Sequence, residues 1–174
     1  MNDFASVTTG TAAGVLVIAM LYGAISDLGR FMIPNWVSLL VAVAFLPAAL
    51  AAGLDIQHIV LSLGVALGCL ALGVAAFAFG LFGGGDIKLF SAGAMWTGWS
   101  ALAPYLMAIA IAGGILSVIL LLFRRLPLAD RLAKVGWIGE LHRRNGPVPY
   151  GVAIAAGTFV SLPQFPVMAV LGGG

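Results

Sequence analysis

Long apolar stretches alternate with short polar segments along the whole chain. The apolar stretches cover approximately residues 10–27, 36–53, 58–82, 86–97, 101–123 and 148–171. About 20 apolar residues in a helix cross about 30 Å of hydrocarbon, so the run from Ile87 to Phe123 is too long for one span. The polar segment Thr97-Gly98-Trp99-Ser100 is the expected break in it. We therefore predict an all-α integral membrane protein with six transmembrane helices, forming a single membrane-embedded domain over residues 1–174.

The composition supports a membrane protein and excludes several classes of function. Hydrophobic residues make up 62% of the chain and charged residues 8%, whereas soluble chains carry about 25% charged residues. The one cysteine, Cys69, allows neither an intramolecular disulfide nor a Cys-x-x-Cys metal site. We expect no metal, no cofactor and no nucleic-acid partner, and we interpret the basic residues as markers of membrane topology.

Two segments carry further structural patterns. In the third apolar stretch, Gly64 and Gly68 form a Gly-x-x-x-Gly pair, which predicts close helix packing near the centre of a bundle. Residues 124–147, between the fifth and sixth stretches, combine six basic residues with leucine, valine and isoleucine at spacings of three and four. This pattern predicts an amphipathic helix on the membrane surface, with a solvated connector as the alternative.

The basic residues also predict the orientation of the spans. With the N-terminus outside, Arg30 lies in the first inner connection, Lys88 in the second and the other six in the third: Arg124, Arg125, Arg131, Lys134, Arg143 and Arg144. The outer connections, at residues 55–58 and 97–100, contain no Lys or Arg. Because Lys and Arg concentrate on the cytoplasmic side, the chain is predicted to be N-out and C-out.

This topology places two carboxylates at similar depth on the cytoplasmic side. Asp27 ends the first span, and Asp86 begins the fourth, two crossings later. Two close carboxylates cannot both ionise cheaply, so they tend to share a proton. Such a pair suits aspartic peptide hydrolysis, in which one carboxylate activates a water and the other protonates the scissile carbonyl. We therefore predict Asp27 and Asp86 as catalytic residues.

The residues around Asp86 suggest how a substrate is held. Gly83, Gly84 and Gly85 have no side chains, so a substrate backbone could lie against them and hydrogen-bond as an added strand. Lys88 could tune the carboxylate pair or bind an acidic substrate group, although snorkelling to the membrane surface explains it equally well. Asn35 could orient a loop near the site or could cap the second helix.

The two aspartates also fit roles outside peptide hydrolysis. Asp86 could simply cap its own helix, and Asp27 could pair with Arg30. A function of another class, a small transporter or channel subunit, would use the two aspartates to relay protons or bind a cation. That function gives no reason for Lys88 or for the glycines.

An ordered set of motifs resembles one family. Gly83-Gly84-Gly85-Asp86 matches the Gly-x-Gly-Asp signature of intramembrane aspartic proteases, and the match extends to Lys88 as in type IV prepilin peptidases. Asp27 followed by Ile33-Pro34-Asn35 matches the first aspartate motif of that family, and Pro149-Tyr150-Gly151 matches its Pro-aromatic-Gly near the last helix. The resemblance covers nearly the whole chain.

The resemblance implies a substrate, a location and a set of site residues. It implies cleavage of a basic leader from type IV pilin-like precursors, which also have a hydrophobic N-terminal helix, at the cytoplasmic face of the bacterial inner membrane. Asp27 and Asp86 would be the catalytic pair, and Pro149, Tyr150 and Gly151 join the expected substrate-binding residues. Many bacterial relatives carry a cysteine-containing cytoplasmic insertion and methylate the new N-terminus. The chain has no such insertion and looks like the short Flp/Tad-pilus or archaeal preflagellin type, so we do not expect methyltransferase activity.

Overall fold

The computed structural model describes residues 3–80 and 82–169, and within these residues it contains α-helices and 3-10 turns but no strand. The helices are α1 (Asp3–Arg30), α2 (Asn35–Ala51), α3 (Ile56–Ala78), α4 (Gly84–Thr97), α5 (Leu102–Phe123), α6 (Asp130–Ala133), α7 (Gly136–His142) and α8 (Tyr150–Ser161). Two 3-10 turns follow α8, at Leu162–Gln164 and Pro166–Met168. The all-α prediction is confirmed for the described residues.

Three of these helices, α1, α3 and α5, are long and apolar enough to cross a membrane. The apolar helix α2 has 17 residues, α4 has 14 and α8 has 12. These features identify a membrane protein, while the six spans and their orientation remain a prediction.

The predicted helix ends differ from the observed ones where side chains satisfy the backbone. Helix α1 is already helical at Asp3 rather than beginning near residue 10, and within this segment the hydroxyls of Ser6 and Thr11 donate to backbone carbonyls one turn earlier. Helix α3 begins at Ile56, where the Asp55 carboxylate accepts the backbone N–H of His58 at 2.8 Å. It ends at Ala78, shortly before Gly80, whose φ is +69°.

The centre of the bundle is α4 rather than α3. Helix α4 packs against α2, α3 and α8, and its second half is almost entirely buried. Trp96 fixes it to α2, because its indole N–H donates to the Val41 carbonyl at 2.9 Å and its ring meets Phe45 edge to face. The helix that follows the glycine segment is therefore held on several sides.

Helix α3 lies at the edge of the bundle, so the predicted packing through Gly64 and Gly68 is wrong within one chain. Both glycines are exposed, and no atom of the described protein lies within 4 Å of a Cβ built at either position. The close approach between α3 and α4 occurs instead at Gly73, where a Cβ would collide with Ile87.

The C-terminal third also departs from the prediction. Residues 124–147 form two short helices, α6 and α7, rather than one amphipathic helix, because Val135 between them has an extended backbone (φ −80°, ψ 108°). Their exposed apolar residues Leu132, Val135 and Trp137 still suit a membrane surface. Helix α8 stops at Ser161 because Pro163 and Pro166 cannot continue it. The predicted end of the last span, near residue 171, lies outside the described residues.

Candidate active site

A tight turn between α1 and α2 forms one wall of the candidate site. Helix α1 closes with the Phe31 amide donating to the Asp27 carbonyl at 2.8 Å, and Phe31 then takes a left-handed backbone (φ +53°). A bulky residue rarely adopts this conformation, so the turn must be held by its surroundings. The Ser26 hydroxyl supplies one such contact by donating to the Met32 carbonyl at 2.8 Å.

Asp27 is tied to the beginning of another helix. Its side chain is buried, with 6% of its surface exposed, and its Oδ2 accepts the backbone N–H of Gly151 at 2.7 Å. Gly151 lies in the first turn of α8, where backbone N–H groups have no partner inside the helix and the helix dipole favours negative charge. Asp27 therefore does not pair with Arg30 in the described structure, and its carboxylate is oriented by α8.

Asp86 lies in the first turn of α4, two residues after the helix begins at Gly84. Its Oδ2 turns back over Gly83, so close that a Cβ at Gly83 would lie 2.7 Å from it. Its Oδ1 is buried and makes no hydrogen bond within the described protein. Buried carboxylate oxygens usually have partners, so an oxygen left free in a cleft is suited to a reacting group.

The two aspartates line the same cleft, which has a volume of about 390 Å³. The cleft is formed by Asp27, residues 31–35, residues 83–86 and Lys88. The pair that the sequence predicted from membrane depth is therefore brought together by the fold.

Ile33 joins the three elements that carry the site. Its side chain is 5% exposed. A Cβ added at Gly85 would lie 3.2 Å from both the Cβ and the carbonyl oxygen of Ile33, and one added at Gly151 would lie 2.9 Å from its Cδ1. The beginnings of α4 and α8 thus both pack on the turn after α1, which sets the relative positions of Asp27 and Asp86.

Lys88 and Asn35 contact each other at the rim of the cleft. The Lys88 ammonium donates to the Asn35 side-chain oxygen at 2.9 Å. Helix α2 has Pro34 at its N-cap and no side-chain cap, so Asn35 does not cap it through its side chain. The contact places a cation on the cleft that the two aspartates also line, and the Lys88 side chain is exposed.

The three residues of the Pro149-Tyr150-Gly151 motif make different contacts. Gly151 contacts Asp27 directly, as described above, whereas Pro149 is buried at the N-cap of α8. Tyr150 is half-buried and meets Phe82 edge to face, with ring centroids 5.5 Å apart. None of the three residues lines the cleft, and Gly151 is connected to it through its hydrogen bond to Asp27.

Arg124 is a residue that the sequence predicted only as a topological marker. Its guanidinium donates to the carbonyls of Leu141 at 2.8 Å, Gly146 at 2.9 Å and Pro147 at 3.0 Å. These bonds attach the connection before α8 to the end of α5. Arg124 therefore helps to position Gly151, although nothing in its sequence context distinguishes it from its neighbour Arg125.

A metal site is not evident in the described part of the chain. Within residues 3–80 and 82–169, no three His, Cys, Asp or Glu side chains are grouped so that they could hold an ion. The residues that line the cleft present two carboxylates, the Lys88 ammonium group, the Asn35 side-chain amide and backbone amides.

Comparison with known proteins supports the resemblance seen in the motifs. Residues 14–122 match the type IV leader peptidase family, a segment that contains Asp27, Ile33-Pro34-Asn35 and the Gly83–Lys88 motif but ends before Pro149. No curated protein and no solved structure matches the chain. Because the match covers more than half of the sequence, the chain belongs to the type IV leader peptidase family.

Proposed function

We propose that this protein is a membrane aspartic endopeptidase that removes the basic leader from type IV pilin-like precursors, using Asp27 and Asp86 to activate water. The observation that carries the proposal is the shared cleft, in which two carboxylates from distant parts of the chain lie beside three glycines. Membership of the family implies pilin-like substrates and a membrane setting.

The surroundings of the two carboxylates support different roles for them. The Gly151 amide and the beginning of α8 favour negative charge on Asp27, which leaves its second oxygen to take a proton from water. Asp86 carries the shared proton, and its buried, unpartnered Oδ1 is suited to donate a hydrogen bond to the scissile carbonyl.

The reaction then follows from these roles. As Asp27 takes one proton of the water, the water oxygen bonds to the carbonyl carbon, and Asp86 gives its proton to the carbonyl oxygen. Asp27 next passes its proton to the leaving nitrogen, the C–N bond breaks, and a proton of the intermediate returns to Asp86. The products are a carboxylic acid at the end of the leader and a free amine on the mature protein, and both carboxyl groups end in their starting states.

The glycine segment offers a place for the substrate backbone at one position in particular. At Gly83 the space that a side chain would need is occupied by the Asp86 carboxylate, and at Gly85 it is occupied by Ile33. At Gly84 the nearest atom to an added Cβ is Phe77 Cε2 at 3.7 Å, an ordinary contact, so the space of this missing side chain is not occupied by another residue. We propose that the substrate backbone lies along Gly84, with Lys88 and Asn35 binding a polar group beside it.

The proposed location is the cytoplasmic face of a bacterial inner membrane, with six spans and both termini outside. The support is the distribution of all eight Lys and Arg residues on one side of that topology. The cleft then opens on the side where a basic leader is made.

The test uses purified protein in detergent and a pilin-like precursor that carries its leader. Asp27→Asn and Asp86→Asn should each lower the cleavage rate by about 100- to 10,000-fold, the contribution typical of a general acid or base. Asp55→Asn, which changes a carboxylate far from the cleft, is the matched control and should cleave at the wild-type rate.

Folding and ion transport must be measured on the same preparations. Each variant should keep the wild-type helix content and thermal unfolding midpoint. Normal cleavage by either cleft variant would eliminate the catalytic pair. Absence of cleavage by the wild type, together with proton or cation flux in liposomes, would instead favour the transporter function.

A further inference from the structure

A second, larger depression begins beside the cleft and is almost wholly apolar. Its volume is about 660 Å³, and it lies between α3 and α5, with α4 and α8 as its floor. Helix α3 packs on α4 and helix α5 packs on α8, whereas α3 and α5 make no extensive contact. The groove therefore opens sideways on the surface of the apolar helices.

The walls of the groove are suited to another helix. On α3 the lining residues Cys69, Leu72, Gly73 and Ala76 recur at spacings of three and four, and so share one face. On α5 the facing residues include Ala110 and Gly114, one turn apart, and both are exposed. Small residues on a membrane helix allow a second helix to approach closely.

The groove and the polar cleft meet at Asp86, which lines both of them. Phe82 and Tyr150, packed edge to face, line the groove near this junction. A fissure filled permanently by acyl chains would place hydrocarbon against a carboxylate, which is costly. A peptide instead brings backbone hydrogen-bonding groups to that end and apolar side chains to the rest.

We propose that the groove binds the hydrophobic N-terminal helix of the precursor, which enters from the lipid between α3 and α5. This inference rests on the proposed function. The polar leader lies in the cleft, the hydrophobic helix lies in the groove, and the bond between them reaches Asp86. Because the cleft and the groove meet at Asp86, the bond that is cleaved is the one where the polar leader joins the hydrophobic helix.

The first test fills the groove with a larger side chain. Ala110→Phe and Gly114→Phe add bulk there, and no described atom lies within 4 Å of a Cβ at Gly114. Gly68→Phe is the matched control, because Gly68 is equally open but lies outside the groove. Two substrates are compared: the full precursor, and a soluble peptide that spans the cleavage point but lacks the hydrophobic helix.

The readout is the ratio of kcat/KM for the precursor to kcat/KM for the peptide. Each groove variant should lower this ratio at least about fivefold, mainly through KM for the precursor, as expected from overpacking of a binding surface. Gly68→Phe should leave the ratio within about twofold of wild type. An unchanged ratio in both groove variants would overturn the proposal and leave lipid as the occupant. Failure of the wild type to cleave either substrate would instead overturn the proposed function.

The second test uses Cys69, the only cysteine in the chain, as a built-in reporter on the groove wall. Single cysteines are placed along the hydrophobic helix of a precursor and oxidised together with the inactive Asp27→Asn variant. Disulfides to Cys69 should form at precursor positions three or four residues apart, and Cys69→Ala should abolish them. Failure of every position to cross-link would contradict docking in the groove.

Discussion

Three consecutive glycines give the sharpest prediction, because an alanine at each would meet different atoms. A Cβ at Gly83 would lie 2.7 Å from Asp86 Oδ2, one at Gly84 would lie 3.7 Å from Phe77 Cε2, and one at Gly85 would lie 3.2 Å from Ile33 Cβ. Non-bonded carbon atoms are most stable about 3.5–4.0 Å apart. Gly84 therefore has room for a methyl group, and its two neighbours do not.

At Gly83 the displaced atom belongs to the proposed catalytic carboxylate. Ordinary contact requires the carboxylate oxygen of Asp86 to move by roughly half an ångström. Since a displacement of about 1 Å can cost about 100-fold in rate, Gly83→Ala should lose about tenfold in kcat. The carboxylate can rotate, so the stability loss should stay below about 1 kcal/mol, the usual effect of alanine at an N-cap.

At Gly85 the obstructing atoms are the Cβ and backbone of Ile33, which cannot rotate away. Overpacking of this kind costs about 1–3 kcal/mol, and the better helix propensity of alanine offsets at most about 1 kcal/mol of it. Gly85→Ala should therefore lose both activity and stability. Gly84→Ala should keep kcat within about twofold and gain up to about 1 kcal/mol in stability. Its KM for the precursor should rise, because the added methyl group stands where the substrate backbone is proposed to lie.

The assay combines steady-state cleavage of the precursor with thermal unfolding of each variant in the same detergent. The expected order of kcat is wild type and Gly84→Ala first, with Gly83→Ala and Gly85→Ala well below. Gly83→Ala should unfold near the wild-type temperature, and Gly85→Ala below it. If Gly84→Ala had the lowest kcat of the three variants, the reasoning would be refuted. The contacts of Gly83 with Asp86 and of Gly85 with Ile33 would then not explain why glycine is needed in this segment.

Three further predictions concern the surroundings of the site and one helix end. Gly151→Ala places a Cβ 3.0 Å from the Asp27 Cβ and Oδ2, so kcat should fall at least about tenfold in the cleavage assay. Arg124→Gln removes three charge-assisted hydrogen bonds to backbone carbonyls, so both the unfolding temperature and the cleavage rate should fall, and Arg124→Lys should restore them only in part. Hydrogen bonds from the His58 amide and ring lower the pKa of Asp55, so its stabilisation of α3 is present above the ordinary carboxyl pKa and is lost as pH falls through the lowered value. Unfolding measured between pH 7 and pH 3 should therefore show a steeper loss in wild type than in Asp55→Asn, whose amide oxygen caps the helix without titrating.

Hydropathy predicted which segments are helical but not which faces are buried. Apolar runs identified the helices from α1 to α5 to within a few residues at most ends. In a membrane, however, lipid is as apolar as a protein interior, so an apolar residue carries no information on whether it faces protein or lipid. For this reason Gly64 and Gly68 suggested a central α3, although both face away from the bundle and the glycine-containing helix α4 occupies the centre.

The candidate site was predictable where a polar group stands out against apolar sequence. Asp27 and Asp86 were found because carboxylates are rare and costly at these positions. Ile33, by contrast, was noted only as part of a motif, because its contacts with the beginnings of α4 and α8 depend on the arrangement of three helices. The left-handed backbone of Phe31 could not be predicted from the sequence, because the position holds neither glycine nor asparagine, the residues that usually adopt this conformation.

The length of α4 bears on how water reaches the two aspartates. Its 14 residues extend about 21 Å, less than the roughly 30 Å of hydrocarbon in a bilayer. If α4 crosses, any backbone before Gly84 that lies at membrane depth without helical hydrogen bonds is tolerated only against protein or a water-filled cavity. The cleft that includes Gly84 meets this requirement, so it should admit water from the cytoplasmic side.

Labelling with a membrane-impermeant thiol reagent tests both the crossing and the water path. In a Cys69→Ala background, Gly84→Cys should react in inside-out vesicles and not in right-side-out vesicles. Ser100→Cys, exposed just beyond the other end of α4, should show the reverse. Labelling of both positions from one side would mean that α4 does not cross. Arg124 and Arg125 would then lie on the opposite side of the membrane from Arg30, and the distribution of basic residues would no longer support the proposed orientation of the spans.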